Sequence, residues 1–124
     1  MSAQVSINAF NQCPSLELKR IRYVLCDIDD TLTWQGKLPA KAYSSIEALN
    51  KAGIQVIPVT GRPAGWCDHI SRMWPVVGVG GENGALFFSC HPSDRRMIRR
   101  YFKDEEERNA DRIKLMQIQM EIKV

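Results

Sequence analysis

The chain has 124 residues, carries a formal net charge of +3, and is 44% hydrophobic and 25% charged. This length suits one domain, and the composition is that of an ordinary globular protein, which excludes extensive disorder. The first dozen residues contain no basic residue and no apolar run, so we predict neither a secretory signal nor a membrane span and expect a cytoplasmic protein.

The first predicted strand is the run IRYVLC at 21–26, which follows a polar N-terminal arm at 1–20. The run is short, rich in β-branched and aromatic residues, and stops at polar residues, as a buried strand does. Three carboxylates follow it directly, those of Asp27, Asp29 and Asp30. Loop capping by Asx turns also explains such a cluster, without any function.

Asp27 and Asp29 are two residues apart, so an extended backbone directs both side chains toward the same region. Ionising neighbouring carboxylates is unfavourable unless a positive charge is bound close by. An all-oxygen site suits Mg²⁺, which makes Asp27 and Asp29 candidate metal ligands. Beside a bound cation, one carboxylate can attack a phosphoryl group while the other handles protons.

The next predicted element is a helix from Pro39 to Lys51. Pro39 suits the first helical position, and Ala42, Ile46 and Leu49 lie on one helical face. Gly53 is predicted to end the helix, because glycine readily adopts the left-handed conformation found just beyond a helix end.

A second strand is predicted at Ile54–Val59, with Pro58 near its end because proline lacks the N–H of a central strand. A second helix follows at Ala64–Met73, with its apolar residues Trp66, Ile70 and Met73 spaced to face the core. A third strand is predicted at Val76–Val79. The order strand, helix, strand, helix, strand predicts an α/β fold with a Rossmann-like parallel sheet.

Polar residues also follow the second predicted strand, in the sequence Thr60-Gly61-Arg62. Ligands of open α/β sheets bind at the carboxyl ends of the strands. We therefore predict that Thr60, Gly61 and Arg62 share one site with Asp27 and Asp29. Arg62 suits an anionic substrate, although a structural ion pair explains this arginine equally well.

The segment after the third strand carries a turn signal and then a charged tail. Asn83-Gly84, before the apolar run Ala85–Phe88, is a strong hairpin signal. Arginines and a lysine crowd residues 95–103, but acidic residues at 104–107 follow at once, so no nucleic acid is expected as a partner. Helix-favouring residues at 104–120 compete with an alternating pattern at 116–124, and we predict a helix because no turn signal separates them.

Four cysteines and two histidines show no ligand spacing. The cysteines are predicted to be free thiols and the histidines to be structural or solvated; these residues are Cys13, Cys26, Cys67, Cys90, His69 and His91.

The segments DIDDT at 27–31, VTGRP at 59–63 and GGENGALFF at 80–88 together resemble the haloacid dehalogenase (HAD) superfamily of phosphohydrolases. The third segment is similar to that of members whose cap domain is inserted late, which include sugar-phosphate phosphatases. The resemblance implies a partial HAD-like core at 21–88. It also implies the start of a cap or linker, predicted to be helical, at 89–124.

The resemblance implies a role for each matched residue. Asp27 is the nucleophile that forms an aspartyl-phosphate and binds Mg²⁺. Asp29 protonates the leaving oxygen, later activates water, and binds the metal through its main-chain carbonyl. Thr60 and the Gly61 N–H hold the transferring phosphoryl group, and Arg62 contacts phosphate.

Two weaker substrate contacts are implied by the same resemblance. Trp34 lies where the family has a flap over the site, and Asn83 lies in the segment ENG. A packed surface aromatic explains Trp34 and a hairpin turn explains Asn83 without any contact to substrate.

Two parts of the family pattern do not follow Gly84: a lysine that steadies the phosphoryl charge and a later acidic motif. Lys103, Lys114 and Lys123 lie in apparently helical sequence rather than after a strand. We therefore expect the N-terminal part of such a phosphatase, or a truncated descendant, acting on a small phosphorylated substrate that the resemblance alone suggests is a sugar phosphate. By itself the chain should bind Mg²⁺ weakly and turn over slowly or not at all.

Two other classes of protein stay open. A receiver-type phosphoacceptor domain fits the length and the acidic pair, but Thr60 stands where its acceptor aspartate belongs. A non-catalytic binding or homo-oligomerisation module fits the missing half of the site. Such a module would bind its partner at the carboxyl ends of the strands or through the apolar side chains of the tail, which are Ile113, Met116, Met120, Ile122 and Val124.

Overall fold

The structure is a computed structural model that describes residues 9–122. Within this range the strands are β1 (Tyr23–Cys26), β2 (Gln55–Pro58), β3 (Val79–Gly81), β4 (Leu86–Cys90) and β5 (Met97–Tyr101). The α-helices of the same range are α1 (Ser15–Leu18), α2 (Ala40–Lys51), α3 (Ala64–Met73) and α4 (Glu105–Ile122). The predicted α/β class with a parallel sheet is confirmed, because β1 pairs with β2 in parallel across α2.

The sheet continues from β2 in a mixed arrangement. A parallel bridge between Val59 and Gly80 joins β2 to β3, and β4 is antiparallel to both β3 and β5. The spatial order is therefore β1-β2-β3-β4-β5, and all strands except β4 run in one direction. Consequently the carboxyl ends of β1, β2, β3 and β5 lie at the same edge of the sheet.

Pro58 fits this sheet because of the side of β2 on which it lies. The amides of Gln55 and Val59 donate to the carbonyls of Arg22 and Cys26, at 2.8 Å each, so odd-numbered positions of β2 face β1. Pro58 falls on the other side, which faces β3. Two residues further along on that side, the Thr60 amide donates to the Gly80 carbonyl. The missing N–H of Pro58 therefore breaks no bond to β1.

Helix α2 matches its prediction. Ile46 is buried and the other two residues of the predicted face are half-buried. Gly53 has a left-handed φ of 82°, and the Ile54 amide donates to the Leu49 carbonyl at 2.9 Å. This pair of features is the Schellman ending that glycine favours, and it directs the chain into β2.

Both α2 and α3 cover the same face of the sheet. The core cluster between α3 and the strands contains Ile28, Cys67, Ile70, Val79, Leu86 and Phe88. The prediction that Trp66 and Met73 face this core is wrong, because they are 50% and 60% exposed. The inward face of α3 is instead formed by Cys67, Ile70 and Ser71. Ile70 faces the core as predicted. Where α3 lies closest to β3, the small side chain of Cys67 packs on Gly81, and an added Cβ there would overlap its Sγ.

The opposite face of the sheet is open near β1. Leu25 is 67% exposed, and the four residues of β1 are alternately exposed and half-buried, so the prediction of a buried first strand is wrong. In an α/β protein helices usually cover both faces of a parallel sheet. Here the helices of residues 9–122 cover one face only, which leaves the alternate side chains Tyr23 and Leu25 in solvent.

The region after Phe88 contains a strand that the sequence did not reveal. β4 continues to Cys90 and β5 spans Met97–Tyr101, where a helical cap or linker was predicted. Basic residues hide this strand in the sequence: Arg99 lies on the side of the sheet that α3 covers, where it pairs with Asp68 of α3 at 2.9 Å while staying exposed. The third strand also begins later than predicted, at Val79 instead of Val76.

Helix α4 confirms the helical prediction for the tail and excludes a strand over residues 116–122. The Asp104 carboxylate accepts from the Glu107 amide at 2.8 Å and the Glu107 carboxylate accepts from the Asp104 amide at 3.2 Å. This reciprocal capping box fixes where α4 begins. Along its length α4 buries no side chain. Lys123 and Val124 lie outside the described residues.

The N-terminal arm is described only from residue 9 onward, and residues 1–8 lie outside the described range. Residues 10–12 form one 3₁₀ turn and α1 follows, without a buried side chain in either. The predicted division of the chain after residues 20 and 88 stays a prediction. None of the helices in the described range combines the length and apolar composition that crossing a membrane would require.

Candidate active site

The two candidate aspartates flank a buried anchor at the end of β1. Ile28 is 2% exposed, whereas Asp27 and Asp29 are both exposed. The Ile28 carbonyl accepts from the amides of Leu32 and Thr33 at 3.0 and 2.9 Å. This tight turn holds the main chain so that Ile28 points into the core and both aspartates point away from it, as the alternation predicted.

Arg62 binds the Asp29 carboxylate directly. Its Nη2 donates to Asp29 Oδ1 at 2.6 Å, and its Nε donates to Oδ2 at 3.1 Å. These hydrogen bonds, with a smaller contribution from the charge of Arg62, hold the pKa of Asp29 below its ordinary value. In this arrangement Asp29 is ionised and Arg62 already has a carboxylate partner, so the ion-pair reading of Arg62 is correct for this structure.

Thr60 and Gly61 form the end of β2. Thr60 is buried, and its hydroxyl oxygen accepts from the Arg62 amide at 3.1 Å. The hydroxyl hydrogen of Thr60 therefore stays available for another acceptor. Cys26 of β1 and Pro58 of β2 are opposite each other in the parallel pair, so Asp27 and Thr60 follow the ends of neighbouring strands. Neighbouring strands lie about 4.8 Å apart.

The turn between β3 and β4 closes the site from the side of β3. The Asn83 amide donates to the Thr60 carbonyl at 3.1 Å, and a Cβ at Gly61 would lie 3.1 Å from Asn83 Oδ1. The Asn-Gly turn signal is confirmed, with left-handed φ at Asn83 and Gly84. Asn83 thus supports the Thr60–Gly61 segment, and this local contact explains it without a substrate.

Two residues near the site were not identified from the sequence. Glu82 Oε1 accepts from the Ala64 amide at 3.1 Å and so caps α3 from the turn between β3 and β4, since Pro63 offers no capping side chain. The Trp66 ring lies 4.4 Å from the guanidinium carbon of Arg62, so Arg62 is held by a carboxylate in its plane and an indole on its face. No local sequence pattern marks a cap that comes from eighteen residues away.

Trp34 begins a small hairpin, in which it pairs with Lys37. The Trp34 amide donates to the Lys37 carbonyl at 2.8 Å, and the Lys37 amide donates to the Trp34 carbonyl at 3.0 Å. Gln35 and Gly36 between them have left-handed φ values of 48° and 72°. These are the signs of a two-residue primed turn. The indole of Trp34 is 67% exposed, and its contact with a substrate stays a prediction.

The oxygen atoms at the end of β1 offer a partial metal site. In the described part of the chain, no three His, Cys, Asp or Glu side chains converge on one point. Magnesium needs fewer protein ligands, because it keeps several waters and takes oxygens from substrate phosphates. The Asp27 carboxylate fits this chemistry, as does the Asp29 main-chain carbonyl, to which no amide of residues 9–122 donates.

Lys103 corrects one expectation about the missing cation. It follows β5 by two residues, so it lies after a strand and at the same sheet edge as Asp27. However, it pairs with Asp111 at 2.6 Å, and four strand spacings of about 4.8 Å separate β5 from β1. Lys103 therefore does not reach the phosphoryl position beside Asp27 in this structure.

The cysteines and histidines contribute no further ligand cluster. All four cysteines are free thiols, as predicted. Burial, followed by the charge of Asp27, raises the pKa of the Cys26 thiol, which makes this neighbour of Asp27 a weak nucleophile. His91 Nδ1 lies 3.1 Å from Asp94 Oδ1 in the β4–β5 turn, far along the strands from the site.

Comparison with known proteins identifies the type of fold. A family model described as haloacid dehalogenase-like hydrolase matches residues 24–119. No curated protein matches the chain. The matched range includes all of the strand-end residues described above.

Two solved structures share the fold. A haloacid dehalogenase-like hydrolase from B. subtilis is 20% identical, with a TM-score of 0.54 over 80% of this chain and 34% of its own. A protein from Bacteroides thetaiotaomicron, studied among the phosphatases of the HAD superfamily, is 24% identical, with a TM-score of 0.54 over 82% of this chain and 36% of its own. The chain thus spans about a third of the length of these two proteins.

Proposed function

The chain belongs to the haloacid dehalogenase-like hydrolase family, and from this premise we propose that it is built to hydrolyse phosphate monoesters through an aspartyl-phosphate on Asp27. The proposal is supported chiefly by one observation: Asp27 and Asp29 follow β1 while Thr60 and Gly61 follow its parallel neighbour β2. The four residues to which we assign the roles of nucleophile, proton carrier and phosphoryl donors thereby share one edge of the sheet.

In the first step the Asp27 carboxylate attacks phosphorus, and the bond between phosphorus and the leaving oxygen breaks. Asp29 supplies the proton that the leaving oxygen takes. The free hydroxyl hydrogen of Thr60 and the Gly61 N–H donate to the phosphoryl oxygens as charge builds on them. In the second step Asp29 removes a proton from water, which attacks the acyl phosphate and releases phosphate and the Asp27 carboxylate.

Mg²⁺ is the proposed cofactor, held by the Asp27 carboxylate and the Asp29 main-chain carbonyl. When bound, the ion would neutralise phosphoryl charge that otherwise repels the attacking carboxylate. Because this set is partial, we expect weak binding by the isolated chain. Tight magnesium binding measured by calorimetry would contradict that expectation.

The Arg62–Asp29 pair sets a condition on the first step. A carboxylate held ionised by a guanidinium is a poor proton donor, so the pair has to open before Asp29 can serve as an acid. A substrate phosphate can open it, because phosphoryl oxygens accept the same bidentate donors. Small phosphorylated molecules, with sugar phosphates among them, are therefore the proposed substrate class.

The test is to trap the intermediate. The purified chain is incubated with acetyl phosphate and Mg²⁺, reduced with borohydride, and mapped by mass spectrometry. We expect modification at Asp27 in the wild type and none in Asp27→Asn. Asp30→Asn is the matched control, because asparagine tolerates the left-handed φ of 57° at that position.

Modification at Asp27 that persists in the control supports the mechanism, even where turnover of an aryl phosphate is slow. Modification elsewhere would favour the receiver-type alternative. An unmodified, folded protein would contradict the proposed nucleophile.

A second candidate is a non-catalytic module that self-associates. The observation that favours it is exposed apolar surface: Leu25 on the open sheet face is 67% exposed, and along α4 the exposed apolar residues are Ile113, Leu115, Met116, Ile118, Met120 and Ile122. Light scattering that gives a monomer mass at all concentrations would count against this candidate.

A further inference from the structure

A groove separates the first turns of α4 from the turn between β3 and β4. It encloses about 440 Å³, within the range of small-ligand sites. Leu86, Leu115 and the ring of Tyr101 contribute apolar lining. The groove lies at the sheet edge that carries Asp27, because Leu86 begins β4 and Tyr101 ends β5 there. None of the five proposed catalytic and phosphate-binding residues lines it, whereas Glu82, which caps α3 beside that site, does.

Two arginines of α4 line this groove without carboxylate partners. Arg108 and Arg112 are one helical turn apart and both lie in the wall. The guanidinium of Arg108 stacks on Tyr101 at 3.8 Å, and its Nε donates to the Asp104 carbonyl at 3.3 Å. Within residues 9–122 neither arginine forms an ion pair, and like charges at this spacing repel each other. A bound anion would relieve that repulsion.

The remaining charges of the wall limit what that anion can be. Lys103 and Asp111 neutralise each other at 2.6 Å. Glu82 lies on the opposite wall, with one oxygen occupied by the Ala64 amide. Three cations and two carboxylates leave one positive charge in excess, which a carboxylate matches and a phosphate dianion exceeds. The free oxygen of Glu82 suits a hydroxyl donor of the ligand.

The groove lies within reach of a substrate held at Asp27. About two and a half strand spacings of 4.8 Å, roughly 12 Å, separate the β1–β2 strand ends from the centre of the groove near β4. An extended six-carbon chain and an arginine side chain together cover this distance. One ligand can therefore place its phosphate at Thr60 and its far end at Arg112.

We propose that this groove is a specificity subsite for the leaving group, and that it takes a carboxylate carried by a hydroxylated chain. The carboxylate lies between Arg108 and Arg112, the hydroxyl groups donate to Glu82, and the carbon chain packs on Leu86 and Tyr101. The assignment of the groove rests on its own residues. Its role as a leaving-group subsite rests on the proposed phosphatase function.

The test compares two acyclic ligands that differ only at the far carbon. 6-Phosphogluconate carries a carboxylate there and sorbitol 6-phosphate a hydroxymethyl group. Each is titrated into ¹⁵N-labelled wild-type protein, and into the variants Arg112→Gln and Arg96→Gln. Arg96 is the matched charge control, because it lies in the β4–β5 turn at the other end of β5 and is 73% exposed.

We expect the wild type to bind 6-phosphogluconate about tenfold more tightly than sorbitol 6-phosphate, the size expected for a charge-assisted contact. Amide shifts at 101–103 and 108–115 should accompany the carboxylate ligand. Arg112→Gln should abolish the preference and leave sorbitol 6-phosphate binding unchanged, while Arg96→Gln keeps both.

The site-resolved shifts separate the two proposals. Shifts at 60–62 without shifts around the groove, or equal affinities in the wild type, would overturn the subsite and leave the phosphatase proposal intact. Gluconate, which lacks phosphate, is titrated separately. Amide shifts around the groove with gluconate would support the carboxylate subsite. If no phosphate ester then shifts the amides of 60–62, the phosphatase site is contradicted while the groove stands. Tighter binding of sorbitol 1,6-bisphosphate than of 6-phosphogluconate would overturn the assignment of a carboxylate.

Discussion

Gly81 controls how closely α3 approaches the sheet beside the candidate site. In Gly81→Ala the new Cβ would overlap Cys67 Sγ, and it would lie 2.8 Å from Leu86 Cδ1 and 3.3 Å from the Arg62 carbonyl oxygen. None of these neighbours can move freely, since Cys67 is fully buried and the Arg62 carbonyl accepts from the Glu82 amide at 3.1 Å. Overpacking of a tight core costs about 1–3 kcal/mol, and we expect the upper half of that range.

Urea unfolding followed by circular dichroism measures this change in the free energy of unfolding. Cys67→Ala removes the overlapping sulfur and alone should cost about 1 kcal/mol of buried apolar contact. In the double variant the two costs should not add, with a coupling of about 1 kcal/mol or more. Gly65→Ala is the control, because no atom lies within 4 Å of its added Cβ and alanine favours the helix.

Two results would refute this packing account. One is a Gly81→Ala variant as stable as the wild type, which would mean that α3 can shift outward without cost. The other is strict additivity with Cys67→Ala, which would mean that the sulfur is not the obstacle.

Three further changes test local contacts. Asp104→Ala removes the cap of α4 and should reduce helical ellipticity, at a cost of about 1 kcal/mol; unchanged ellipticity would exclude the capping box. Arg62→Gln removes the partner that lowers the pKa of Asp29. The stability lost in this variant should therefore be constant above about pH 4 and shrink below it, where Asp29 gains its proton. A difference in urea midpoint that grows toward acid would contradict this sign. Asp68→Asn should cost about 1 kcal/mol because it weakens the Arg72 pair within α3 and the Arg99 pair that ties α3 to β5; an unchanged midpoint would show that the pairs are solvated.

The sequence predicted the elements whose signals are local. Gly53 marked the end of α2 because only a left-handed residue suits that position. Asp27 and Asp29 were placed on one side of Ile28 by the period of extended backbone. Predictions that needed the partner of an element were weaker. Trp66 and Met73 of α3 are exposed, and Cys67 packs on Gly81 instead.

The candidate site divides in the same way. The sequence by itself determined which residues end the parallel strands, because the apolar runs stop at Asp27 and at Thr60. Only the tertiary structure decided that Arg62 binds Asp29, that β5 brings Lys103 to the same edge, and that the alternate side chains of β1 stay open to solvent. Strand ends follow from the order of residues along the chain, whereas ion pairs and burial depend on which elements the fold places side by side.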